Sequence, residues 1–281
     1  MIKSFLGCDR EYEEALVVLF GAGYDATTSN KPGARFAPAA IRAESYGLES
    51  YSPYLDRDLE IDARVHDAGD LELYGRQEGV LAEIEKMAGK ILDDGKLPFM
   101  IGGEHLVTLG SVRAAAKKYP DLHIVHFDAH TDLRDDYLGE KLSHATVLRR
   151  CYDILGNNRI SQFGIRSGTK EEFDFAKKHL DFNPFSLENI SKVLSLGNTP
   201  IYLTIDLDIL DPSAFPGTGT PEAGGVSFLE LINSFKILSQ LNIVAIDIVE
   251  LAPNYDISAV STATACKIIR ELLLYVGKRG N

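Results

Sequence analysis

The chain has 281 residues, 45% hydrophobic and 25% charged, enough to bury a sizeable core in one large α/β domain or two smaller ones. Lys and Arg number 29 against 41 Asp and Glu, a formal charge of −12 with a pI near 5.1, which argues against nucleic acid or an anionic membrane as the main partner. Cys8, Cys151 and Cys266 lie far apart with no Cys-x-x-Cys pair, which argues against a disulfide framework or a thiolate zinc site and fits the cytoplasm.

The N-terminus carries acids early, without the apolar core of a secretory signal, and no run approaches the ~18 apolar residues of a membrane span. In chain order, short β-branched apolar runs at 15–20, 97–101, 123–127, 159–165, 200–205 and 243–249 read as buried strands. Helical patterns lie between and after them, at 77–93, 106–118, 170–179, 228–241 and 261–276. Ser227-x-x-Glu230 reads as a capping box opening its helix, and Gly277 and Gly280 follow the last helix as stop signals. Pro98 and Pro200 stand at strand entries, where a missing N–H is tolerated. No repeat, low-complexity tract or long linker interrupts the chain, so the expectation is a single domain over 1–281. Strands alternating with helices of this length predict a three-layer α/β/α fold with a mostly parallel central sheet.

Polar clusters follow four of the predicted strands: Gly102-Gly103-Glu104-His105, then His126-Phe127-Asp128-Ala129-His130-Thr131-Asp132, then Asp206-Leu207-Asp208, and finally Glu250. Strand C-terminal ends form the edge where open α/β sheets bind ligands. In an extended segment, alternation points Asp128, His130 and Asp132 the same way. Carboxylates crowded like this repel unless cations neutralise them. Oxygen and nitrogen donors without sulfur favour Mn(II) or a similar ion. In a two-metal site, Asp128 and Asp206, each nearest its strand end, are the natural bridges, and His105, Asp132, His130 and Asp208 complete it.

These motifs, with Ser143-His144-Ala145-Thr146, the run from Asp206 through Pro212 and the run from Pro216 to Gly225, resemble the ureohydrolase (arginase/agmatinase) family. The resemblance runs from Ser29-Asn30-Lys31-Pro32-Gly33-Ala34-Arg35 to Val249-Glu250-Leu251-Ala252-Pro253, and within the family it is strongest to bacterial agmatinases. It implies an arginase-like fold, two Mn(II) ions per subunit, a homo-oligomer (trimer or hexamer), and hydrolysis of a small cationic guanidino substrate by a hydroxide bridging the ions. Agmatine, giving putrescine and urea, is the substrate it favours. Asp132 would accept the hydroxide's proton, His144 would relay a proton to the leaving amine, and Glu250 would anchor the guanidinium. Stretch 133–140 carries Asp135, Asp136 and Glu140 against Arg134, a balance that disfavours a substrate carboxylate. Ala145 stands where family members often have glycine.

Blander readings exist for single residues: Asp211 before Pro212 suits a turn better than a metal, Arg149 and Arg150 suit a surface pairing, and Arg166 sits at a strand end without a role that spacing decides. Competing functions are a guanidinobutyrase or arginase, a catalytically silent metal-binding homologue, and a haloacid-dehalogenase-type phosphatase using Asp206 and Asp208. The last leaves the histidine clusters unexplained.

Overall fold

A computed structural model describes residues 4–277; Gly280 lies outside them. Among the described residues ten strands form: β1 Val17–Ala22, β2 Tyr51–Ser52, β3 Arg57–Asp58, β4 Val65–Asp70, β5 Leu97–Gly102, β6 His123–Phe127, β7 Ile160–Phe163, β8 Asp181–Asn183, β9 Pro200–Asp206 and β10 Asn242–Val249. Eight of them make one sheet in the order β4-β1-β5-β10-β9-β6-β7-β8, with every neighbouring pair parallel. The helices are α1 Ala37–Ser45, α2 Leu59–Asp62, α3 Gln77–Asp93, α4 Thr108–Lys118, α5 Val147–Leu155, α6 Lys170–His179, α7 Phe228–Leu238 and α8 Val260–Val276.

Alternation along the strands divides the core in two. In β1, Val17 and Leu19 join α1, α7 and α8 through residues such as Ile41, Phe235 and Ile269. Val18 and Phe20 join α3, α4, α5 and α6 through residues such as Ile84, Val112 and Leu148. Both faces of the sheet are therefore covered, the three-layer arrangement that the spacing of elements predicts. Burying each large apolar side chain stabilises the fold by roughly 1.5–3 kcal/mol.

Several elements differ from their sequence pattern. α4 begins at Thr108 because His105–Val107 form a 3₁₀ turn. α7 stops at Leu238, where the chain turns back into β10. The Ser227/Glu230 capping box forms as the pattern predicts, and a second one joins Thr169 to Glu172. β4 and β8 escape periodicity because both are edge strands with polar residues, and β8 has three residues. Asp67 of β4 is taken up by Arg42 of α1 in a buried ion pair. Among the described residues, no helix is long and apolar enough to cross a membrane, and all three cysteines are buried and unpaired.

At the N-terminal edge of the sheet, His123 Nε2 donates to Ser161 Oγ (2.9 Å), which donates to Asp181 Oδ2 (3.0 Å). Burial holds the His123 imidazole down at about 4, below its usual 6.5. A depressed histidine pKa contributes full stability above pH 6.5 and loses it as pH falls towards 4, by about 3 kcal/mol in all. Replacing His123 with Gln, which keeps an N–H for Ser161, flattens that acid limb in urea unfolding curves measured at stepped pH. An unchanged slope would assign the pH dependence to other groups.

Candidate metal centre and active site

β5, β10, β9 and β6 are consecutive in the sheet, so the segments leaving their C-terminal ends meet. This is why Gly102–His105, Glu250, Asp206 and Asp128 share one place although they span much of the chain. Gly103 allows a close backbone approach: a Cβ there would lie 2.0 Å from the Tyr24 carbonyl oxygen.

His105 Nδ1 lies 3.1 Å from Asp128 Oδ2, 3.2 Å from Asp132 Oδ2 and 3.4 Å from Asp206 Oδ2. A second group lies beside the first: His130 Nδ1 is 2.9 Å from Asp208 Oδ2 and 3.5 Å from Asp128 Oδ1. Asp128 belongs to both groups. All six residues proposed as ligands from the sequence are thus brought together, but not by an extended backbone. β6 ends at Phe127, the His130 N–H turns back onto Asp128 Oδ1 (2.6 Å), and Asp132 takes a left-handed φ of 53°. Asp132 is held there because its carbonyl accepts the N–H groups of Leu148 and Arg149. Asp206 likewise ends β9 and accepts the Asp208 N–H at 2.8 Å.

Hydrogen bonds beneath this cluster set the protons. Gln162, His126, Thr204 and Asp247 lie in register across β7, β6, β9 and β10 as a polar row inside otherwise apolar strands. The Thr204 hydroxyl donates to Asp247 Oδ1 (2.6 Å), so towards His105 Nε2 (3.0 Å) its oxygen accepts. His105 therefore carries its proton on Nε2, and Nδ1 presents a lone pair. That Nδ1 is buried, has no hydrogen-bond partner and faces three carboxylates. A lone pair among carboxylates is repulsive unless a cation lies between them, and nitrogen and oxygen donors of this kind suit divalent Mn. The residues present fit a pair of divalent metals.

His126 lies near Asp128 and His105 and, by proximity alone, counts as a further donor. Its protonation excludes it. The Gln162 amide nitrogen donates to the Thr131 carbonyl (2.8 Å) and to His126 Nδ1 (3.1 Å), so His126 Nε2 carries the proton and donates to Asp128 Oδ2 (2.8 Å). His126 orients Asp128. Thr204, Asp247, Gln162 and His126 are missing from the sequence-derived site; polar residues interrupting buried strands were their signal.

The electrostatics show an excess of negative charge. Burial, then repulsion from Asp208 and Asp128, pushes the Asp206 carboxyl well up. Burial, then Asp128, pushes Asp132 up to about 7. Burial, then Glu104, raises Glu250. Glu250 also has a left-handed φ of 68°; its N–H donates to the Gly103 carbonyl and its Oε1 accepts the His105 N–H at 2.7 Å.

A cavity of about 260 Å³ opens over these groups, and Asp132, His130, His144, Asp206 and Glu250 all line it. The Thr27 hydroxyl donates to Glu104 (2.7 Å) and so accepts from His144 Nδ1, 3.4 Å away, and from the His144 N–H. This leaves Nε2 as the unprotonated nitrogen of His144, and burial holds the ring down at about 4. Ala145 lies in a 3₁₀ turn outside the left-handed region, so the position needs no glycine.

The loop acids are arranged differently from the sequence argument. Asp135 pairs with Arg150 (2.7 Å), which also pairs with Asp153, and Asp136 accepts the Gly139 N–H (2.9 Å). None of Asp135, Asp136 and Glu140 lines the cavity; Arg134 and Tyr137 do. Arg150 takes up Asp135, the Gly139 N–H takes up Asp136, and Glu140 is exposed outside the cavity, so these acids do not select against a carboxylate. Asp211 shapes a turn, accepting N–H groups of Ser213, Gly224 and Gly225.

A sequence model of the arginase family matches residues 15–275. An agmatinase of Bacillus subtilis (strain 168) is 49% identical over 278 residues, covering 97% of this chain and 96% of its own. The solved structure of a candidate agmatinase from Clostridium difficile is 55% identical with a TM-score of 0.93, covering 95% of this chain and 99% of that one. Agmatine ureohydrolase of Thermoplasma volcanium has a TM-score of 0.89 at 34% identity, with 98% and 94% covered. With this match over nearly its whole length and a donor cluster suited to a metal pair, the chain belongs to the arginase family.

Proposed function

We propose that this ureohydrolase converts agmatine to putrescine and urea with two Mn(II) ions. The observation that carries the reading is the convergence of two histidine Nδ1 atoms and four aspartates beneath a cavity that Glu250 also lines. His105, Asp128, Asp132 and Asp206 would hold one ion and Asp128, His130, Asp206 and Asp208 the other, with Asp128 and Asp206 shared. When bound, the ions would supply hydroxide near neutral pH and offset the carboxylate charge.

The protein's own groups do the rest. Glu250 keeps Oε1 on the His105 N–H and has Oε2 for a guanidinium, a charge-assisted contact that orients the central carbon. Asp132, on the cavity wall, takes up the proton released as water attacks that carbon. His144 is neutral at pH 7 with Nε2 free, so it receives a proton before passing one to the leaving amine or to solvent. The agmatinase relatives support agmatine as substrate. So does the wall outside the ligand set, where Glu172 pairs with Arg134 and Glu250 remains as the carboxylate for a cation.

Arg134 favours one second reading, hydrolysis of a guanidino acid whose carboxylate it would meet. It lies 3.6 Å from Glu172 and 4.9 Å from the Tyr137 ring centroid. Urea release by Mn(II)-loaded and chelated protein given agmatine, 4-guanidinobutyrate or arginine decides between them. The expected result is turnover fastest on agmatine and lost on chelation. Preference for a guanidino acid would make Arg134 the specificity residue, and silence on all three with metal bound would point to a different substrate or a non-catalytic homologue.

A further inference from the structure

We infer that Arg166 is a positioning residue that holds the His130/Asp208 half of the metal centre and the adjoining loop at 218–225 in working geometry; the inference rests on the two-metal reading above. Arg166 follows β7 and is half-buried. A guanidinium has five N–H donors, and here they meet five backbone carbonyls. Nε donates to Ala223 (3.2 Å). Nη1 donates to Gly164 and Ile209 (3.3 Å each). Nη2 donates to Asp208 (2.7 Å) and Glu222 (2.8 Å).

Those carbonyls belong to three neighbouring segments. One is the turn carrying Asp208. The second is the loop of Glu222 and Ala223, which brings Thr220 to the cavity wall and to 3.4 Å from Asp208 Oδ2. The third is Gly164, just after β7. The backbone of Arg166 ties in a fourth: its N–H donates to the Ala129 carbonyl (2.7 Å), while the Ala129 N–H donates to Asp208 Oδ1 (3.0 Å). Asp211 holds the same loop from the other side, through the N–H groups of Gly224 and Gly225. The packing is backbone on backbone: a Cβ on Gly225 would lie 2.6 Å from the Ile209 carbonyl oxygen.

The restraint is one-sided. His105 is held by Thr204 through its ring and by Glu250 through its N–H, neither of which touches Arg166. Loss of the guanidinium therefore loosens Asp208 and leaves the His105 half in place. Lysine keeps the charge but offers three donors from one point and cannot reach all five carbonyls.

The test is Mn(II) titration by calorimetry of the wild-type protein and of Arg166→Lys and Arg166→Gln, with agmatine kinetics at saturating Mn(II). The wild-type protein should bind two ions. In either variant one ion should bind about tenfold or more weakly and the other within about twofold of wild type. KM should rise while kcat at saturating metal changes less, because Thr220 and not the attacking groups is displaced. Two ions bound by the wild type, with both affinities preserved in the variants, would overturn the role of Arg166 and leave the two-metal reading intact. Equal weakening of both ions, or failure of both variants to fold, would make Arg166 a residue of general stability and overturn it as well. Fewer than two ions in the wild type would overturn the two-metal reading and this inference with it.

Discussion

Asp128→Asn should abolish turnover, by about a thousandfold or more, and leave fewer than two Mn(II) bound per chain. The magnitude follows from the several kcal/mol that a metal contributes to such a reaction, at 1.36 kcal/mol per tenfold in rate. Asp128 is the one carboxylate facing both histidines: Oδ2 is 3.1 Å from His105 Nδ1 and Oδ1 is 3.5 Å from His130 Nδ1. Both oxygens already accept N–H groups, from His126 and from the backbone of His130. An asparagine amide would turn a donor towards one of these donors, so the substitution removes a charge and also breaks the orientation of what remains. Metal analysis after gel filtration, alongside urea release, reads both effects. Two retained ions with near-normal turnover would remove Asp128 from its bridging role.

Glu250→Gln should leave both ions in place and lower kcat/KM by about a hundredfold or more, with the loss expressed largely in KM. A glutamine oxygen can still accept the His105 N–H that Glu250 Oε1 accepts at 2.7 Å, so the His105 backbone stays where it is. What disappears is the negative charge facing the substrate guanidinium. In a buried site a charge-assisted contact of this kind contributes about 1.5–3 kcal/mol, roughly ten- to a hundredfold, and misplacement of the reacting carbon adds to that. Steady-state kinetics with metal counting separates the alternatives. If metal is lost, Glu250 acts by supporting His105; if KM is unchanged, the guanidinium is bound elsewhere.

Much of the candidate site was legible because its chemistry is concentrated in short motifs. His105, Asp128, His130, Asp132, Asp206 and Asp208 each stand within five residues of the end of an apolar run, so the strand pattern places them on one edge of the sheet. The central strands were legible for the same reason, since strands buried on both faces are written as nearly continuous β-branched runs. β4, β8 and α1 were not. β4 and β8 are edge strands with polar residues, and α1 opens on Ala-Pro-Ala-Ala with little apolar periodicity.

By itself, the sequence determined the three-layer class, the four strand ends that carry the candidate site and the residue types gathered there, because residue type and spacing are local properties. The tertiary structure alone decided which proton each histidine carries, since that depends on partners in other strands: Thr204 and Asp247 for His105, Gln162 for His126. It also decided which charges face the cavity. Asp135 is turned away by Arg150 while Arg134 lines the wall, a choice made by packing between segments that no spacing along the chain records. The same is true of Arg166, a lone arginine at a strand end until five carbonyls from three segments close around it.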